Sequence, residues 1–194
     1  MALGSRGIDS FQDSISSYTK GVRSALAFNQ EIELTQEYIA KQPYSFIRVD
    51  LGRGANIVMV LMQAENNFFT WVSATGEKII TYNGKIIKTS GLTHNVEIIN
   101  PTEFKVFSES NIYSGTFDVM LRNPQAFIEQ EFTISIIKDE PETLLIEEKI
   151  NVGILNSAYS NFYWMDKKFG KVIKSKQTIN PKLPSLRIDF IYKY

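Results

Sequence analysis

Large apolar residues near the start of the chain fall at Ile8, Phe11, Ile15, Tyr18, Val22 and Leu26. Steps of three and four place them on one face of an α-helix. Asp9 or Ser10 suits the N-cap and Asn29 the stop, which predicts an amphipathic helix over about residues 9–27. Its other face carries Ser, Asp, Gln, Lys and Arg, with Lys20 and Arg23 as its only basic residues. A helix of that kind packs on a sheet more readily than it enters a membrane interface.

After Gln42 the period changes. Tyr44, Phe46, Val49 and Leu51 lead to a Gly52-Arg53-Gly54 turn, and IVMVLMQ (57–63) reads as a buried strand. FFTWVS (68–73), EKIITY (77–82) and KIIKT (85–89) follow, separated by Asn66-Asn67, Thr75-Gly76 and Asn83-Gly84. Later strands are predicted at FKVFS, GTFDVML, FTISII, TLLIEEKINV, NFYWMD, KVIKSKQTI and LRIDFIYKY (186–194), with prolines between them. Asn83-Gly84 and DKKFGK (166–171) are the strongest hairpin signals. Around the first of these, Ile86 and Ile87 are expected on opposite faces, as are Lys85 and Lys88. Connections this short require antiparallel neighbours. The expected fold is mainly β, an antiparallel sandwich or an open β-barrel built as a meander, with the N-terminal helix on a sheet face or across the mouth.

Composition narrows the picture. The 194 residues fit one domain, taken as 8–194 with strands over about 44–194, and residues 1–7 read as a start codon plus vector-derived, disordered sequence. Lys+Arg and Asp+Glu both number 21, so no net field draws in nucleic acid. The chain has no cysteine, which excludes thiol catalysis, disulfides and thiolate metal sites.

Candidate chemistry is sparse. His94, the single histidine, lies after Gly91-Leu92-Thr93 without a GxSxG elbow, and reads as a loop residue rather than a base. One histidine and no cysteine argue against zinc. Glu147 and Glu148 are adjacent and would point to opposite faces of a strand, so they cannot cooperate directly, whereas a pair such as Asp118 and Glu131 depends on the fold. Gly52-Arg53-Gly54 lacks the spacing of a phosphate loop. Aromatic clusters at Phe68, Phe69 and Trp71, and at Tyr159, Phe162, Tyr163 and Trp164, suit core packing. They could alternatively stack on sugar rings or hold a protein partner. No catalytic, cofactor or metal residue is assigned.

Four stretches carry a family resemblance: QPYSFIRVDLGRG (42–54), FTWVSATGEKIITYNGKIIKTSGL (69–92), NFYWMDKKFGKVIKSKQ (161–177) and the closing strand after PKLPSL. In order and spacing they resemble the YjbF/GfcB (YmcC) family of lipoproteins, encoded with group 4 capsule and related exopolysaccharide secretion genes. The matching positions include Arg48, Trp71, Ser73, Asn83-Gly84, Tyr163-Trp164, Gly170, Ser175 and Gln177. Lys85 stands where the family turn is expected to carry arginine, and the lipid-bearing cysteine is absent from this chain.

The resemblance implies an outer-membrane lipoprotein facing the periplasm. It implies a non-catalytic part in capsule or exopolysaccharide secretion or assembly, by binding a partner. The implied partners are a periplasmic companion, an outer-membrane β-barrel protein and a polysaccharide; neither nucleic acid nor a cofactor is implied. Two alternatives stand beside it: a lipid or glycolipid carrier with a concave apolar β face, and a carboxylate-dependent polysaccharide-modifying enzyme. Trp71, Tyr82, Lys85, Lys88, Tyr163 and Trp164 are the candidate ligand- or partner-binding residues.

Overall fold

The computed structural model describes residues 34–50, 56–92, 94–99, 101, 112–122, 125–179 and 185–193. The expected helix at 9–27, the vector-derived stretch, the Gly52-Arg53-Gly54 turn and the FKVFS strand lie outside the described residues. A short helix, α1 (Gln36–Lys41), opens the described chain, and Thr35 caps it by accepting a hydrogen bond from Tyr38 N.

Twelve strands follow: β1 (Phe46–Asp50), β2 (Asn56–Glu65), β3 (Phe68–Ser73), β4 (Lys78–Tyr82), β5 (Lys85–Ser90), β6 (Asn95–Ile99), β7 (Ile112–Arg122), β8 (Ala126–Asp139), β9 (Thr143–Val152), β10 (Ser157–Asp166), β11 (Lys171–Gln177) and β12 (Leu186–Ile191). Each pairs antiparallel with its neighbours in sequence, and β12 returns to pair with β1, opposing Phe190 to Ile47 and Ile188 to Val49. The meander is therefore a closed barrel, which corrects the expected sandwich or open barrel. Closure satisfies β1 on both sides, since its five residues bond β2 as well as β12, and removes the exposed edges that an open sheet would carry.

The turns follow their residues. Asn66-Asn67 (φ 48 and 67) and Asn83-Gly84 (φ 48 and 82) take left-handed backbone at both central positions. That is the hairpin geometry whose twist matches the flanking strands. In the β10–β11 loop Gly170 supplies φ 61, its N–H donates to the Asp166 carbonyl at 2.9 Å, and Phe169 N donates to Asp166 Oδ1 at 3.0 Å.

Inward positions are mostly apolar: Ile146, Ile150 and Val152 on β9, Tyr163 and Met165 on β10, and Leu186, Ile188 and Phe190 on β12. Outward positions on the same strands carry Glu147, Lys149, Arg187 and Asp189. This polarity is the reverse of a membrane-spanning barrel, whose apolar band faces out. Phe46 points outward yet is buried, because the Tyr38 ring of α1 meets it edge-on with centroids 6.0 Å apart.

Side chains fill a barrel of about eight strands, and larger ones leave a lumen. Here the β4–β5 hairpin leans across to β11. The Gln177 side chain accepts a hydrogen bond from Ile86 N at 2.8 Å and donates to the Gly84 carbonyl at 2.8 Å, in the manner of a strand partner. Gly84 lies so close that an added Cβ would sit 2.5 Å from Val172 Cβ. A bulge between the Ile80–Lys88 and Thr81–Ile86 pairs breaks the expected alternation, and Lys85, Ile86 and Ile87 are all buried. Among the described residues, the inward side chains form one buried apolar cluster that includes Ile86, Val172 and Tyr163.

Gly84→Ala should therefore destabilise the protein by about 2–4 kcal/mol, combining a left-handed Cβ with overpacking. Adding Val172→Ala should cost less in this background than in the wild type. Urea unfolding of the four proteins measures both effects; equal cost of Val172→Ala in the two backgrounds would exclude a clash with the two Val172 methyl groups, which lie 2.7 and 2.8 Å from the added Cβ.

Candidate functional site

The hairpin that leans across the barrel delivers Lys85 to the opposite wall. Glu148 occupies an inward position of β9 between Ile146 and Ile150, and Asn161 of β10 stands directly opposite it in register. Lys85 Nζ bonds Glu148 Oε1. The other carboxylate oxygen accepts from Asn161 Nδ2 at 2.9 Å and from Tyr163 Oη at 2.8 Å. Around this centre Asn161 Oδ1 accepts Thr178 N at 2.7 Å, Gln177 Nε2 also donates to Ser175 Oγ at 2.8 Å, and Tyr159 Oη donates to Gln130 Oε1 at 3.2 Å. Tyr163 has one hydroxyl proton, and the carboxylate receives it in preference to Gln177 Oε1 at 3.5 Å, because a charged acceptor makes the stronger bond.

The pair is sequestered: side-chain exposure is 4% for Lys85 and 0% for Glu148. Such burial strips both ions of water, a penalty of several kcal/mol per ion offset only by excellent geometry. Three donors to one carboxylate and two aromatic rings under the ammonium supply it. Lys85 Nζ lies 3.8 Å from the Phe117 ring centroid and 5.6 Å from that of Phe132. Burial lowers the Lys85 pKa from its ordinary value, opposed by the negative charge of Glu148. Burial and the same charge push the Tyr163 and Tyr159 phenols up. Chemically, the arrangement holds charge and fixes geometry, since the Glu148 carboxylate meets Lys85, Asn161 and Tyr163 together.

Of the candidate residues, the structure joins Lys85 and Tyr163 in this cluster. Trp71 is fully buried in an adjoining aromatic layer with Phe69, Phe190 and Tyr192, its Nε1 donating to Thr81 Oγ1 at 3.0 Å. All three side chains are buried inside the barrel. Tyr82 is half-buried and stacks on Phe68 with centroids 4.6 Å apart. Lys88 bonds Glu97 at 2.6 Å, with Arg122 at 3.3 Å from the same carboxylate, and the Lys88 hydrogen bond holds the Glu97 pKa below its ordinary value. Trp164 lies on the outer wall beside Lys174. His94 is exposed.

Glu147 does face away from Glu148 and pairs with Lys149 at 3.6 Å. Asp118 is exposed on β7 and stands opposite Glu129, while Glu131 stands opposite Thr116. Glu148, Asn161 and Gln177 were missed as a group; the available signal was a carboxylate at an inward position between two isoleucines.

A family model described as "Group 4 capsule polysaccharide lipoprotein gfcB, YjbF" matches residues 19–191. Among similar proteins, "Uncharacterized lipoprotein GfcB" of Escherichia coli K12 is 24% identical over 183 residues, covering 87% of this chain and 86% of that protein. "Uncharacterized lipoprotein YjbF" of the same strain is 21% identical over 160 residues, covering 75% and 74%. The crystal structure of the hypothetical lipoprotein YmcC from E. coli K12 superposes with a TM-score of 0.72 at 19% identity, covering 91% of this chain and 96% of that one. At that identity the likeness shows a shared fold.

Two outcomes follow from the cluster. Lys85→Met leaves Glu148 buried without its cation and should lower stability by about 3–5 kcal/mol, and Lys85→Met with Glu148→Leu should recover part of the loss; calorimetry on the three proteins decides it. Tyr159, Tyr163 and Tyr192 all have phenols raised by burial above the ordinary 10.0. Above about pH 10 the unfolded phenols lose protons that the folded ones keep, so stability is full below that pH and falls as pH rises. Absorbance titration should show these three ionising only as the protein unfolds, and three normal titrations would refute the burial argument.

Proposed function

The chain belongs to the YjbF family of group 4 capsule polysaccharide lipoproteins, and from that membership we propose that its barrel is a non-catalytic, periplasm-facing domain acting in capsule or exopolysaccharide secretion by binding. A lipoprotein of that family works in the cell envelope, and an outer-membrane anchor would hold this domain on the periplasmic side. The observation that carries binding over catalysis is the fate of the ionisable groups inside the barrel. Lys85, Glu148, Tyr163 and Tyr159 bond one another or neighbouring amides, so their chemistry is spent on the fold. The buried apolar cluster along the inward face favours the outer surface as the functional one. Its partners on this reading are a periplasmic companion protein, an outer-membrane β-barrel and the polysaccharide in transit.

The test is deletion of the gene, scored by surface polysaccharide, together with crosslinking and capture of the lipidated full-length protein from the envelope. Export should fall, return with the wild-type gene, and persist at full level with Glu148→Gln wherever that variant folds. Normal export in the deletion strain with no secretion component captured would overturn the reading.

A further inference from the structure

The outer wall over β10, β11 and β12 gathers aromatic rings and cations in two rows. In one row Trp164 stands opposite Lys174, which stands opposite Asp189 and then Arg48. In the next, Phe162 stands opposite Lys176, Arg187 and Asp50. Phe162 and Trp164 are two residues apart on one strand, so they share a face about 7 Å apart. Both are half-buried, while Lys174 and Arg187 are exposed. Lys174 Nζ is 5.4 Å from the Trp164 ring centroid, at the edge of the range in which a cation and a ring attract.

The charges are not balanced in place. Asp189 is taken by Arg48 at 2.6 Å, and Glu147, beside Phe162, by Lys149 at 3.6 Å. Lys174, Lys176 and Arg187 have no carboxylate partner among the described residues. A flat aromatic step bordered by three such cations complements a ligand with apolar ring faces and regularly spaced negative charge. We propose that this outer strip, Phe162 and Trp164 with Lys174, Lys176 and Arg187, is a binding site for an anionic polysaccharide. The aromatic faces stack on sugar rings, and the cations meet carboxylate groups along the chain. A membrane surface fits less well, because rings already half-buried in the wall offer little area to insert between lipids. The assignment rests on the functional reading above for its physiological polymer, although the binding itself does not.

Calorimetric titration of the folded protein with oligogalacturonate, whose every sugar carries a carboxylate, tests it against neutral dextran and phosphatidylglycerol vesicles. Oligogalacturonate should bind and weaken with added salt, and dextran should bind at least about tenfold more weakly. Trp164→Ala should weaken binding about fivefold, the scale of one lost aromatic contact. Lys174→Glu with Lys176→Glu should abolish it, and Lys138→Glu on β8 should leave it unchanged. The proposal is overturned if Trp164→Ala binds as the wild type does, if dextran binds equally, if Lys138→Glu weakens binding as much as the strip variants, or if only the vesicles bind. Sugar binding with normal export in the deletion strain would sink the secretion reading alone. Lost export without sugar binding would sink this assignment alone.

Discussion

The rest of this structure depends on one link made across the inside of a twelve-strand barrel. The barrel folds part of itself inward. Gln177 on β11 treats the backbone of β5 as a neighbouring strand, accepting from Ile86 N and donating to the Gly84 carbonyl. The approach is close enough that only glycine fits beside Val172. From this one cross-barrel link follow the burial of Lys85, its meeting with Glu148, and the position of Tyr163 between the carboxylate and Gln177.

An ion pair in such a place is a poor source of net stability and a strong source of selectivity. Replacing both charges by apolar groups of similar volume is often neutral or better, whereas separating them is severe. Slipping β5 by one residue would carry Lys85 from Glu148 and leave both charges in the interior, besides inverting Ile86 and Thr89. The cluster thus discriminates against wrong registers of the strand with both faces covered, where an apolar pattern discriminates least. The bonds from Asn161 and Tyr163 to Glu148, and from Gln177 to Ser175 and the Gly84 carbonyl, extend that discrimination to β10 and β11.

Much of the wall was legible because its rules are local. Asn66-Asn67 and Asn83-Gly84 announce two-residue turns through their tolerance of left-handed backbone, and alternation marks the strands on either side. Closure was not legible, because it depends on β12 meeting β1 across nearly the whole chain, as the Arg48–Asp189 pair separated by 141 residues records. Nor was the cluster. A lysine after a turn reads as solvated, and Glu148 reads as one half of an ordinary acidic pair until the register shows which of Glu147 and Glu148 faces in. Tyr163 and Trp164 show the same limit: adjacent aromatics of similar character go to opposite sides, one to the core and one to the outer wall.

The pairing of the first strand with the last has a kinetic meaning. Before β12 pairs with β1, every partial sheet has two open edges, and no segment can finish its hydrogen bonding alone. Only when β12 arrives can β1 gain its second partner. Contacts so distant in sequence are slow to form, since the loop-closure entropy precedes the reward. The sheet is thus completed only by β12, the last strand described. Until that pairing forms, the partial sheet keeps open edges and most needs protection from its own kind.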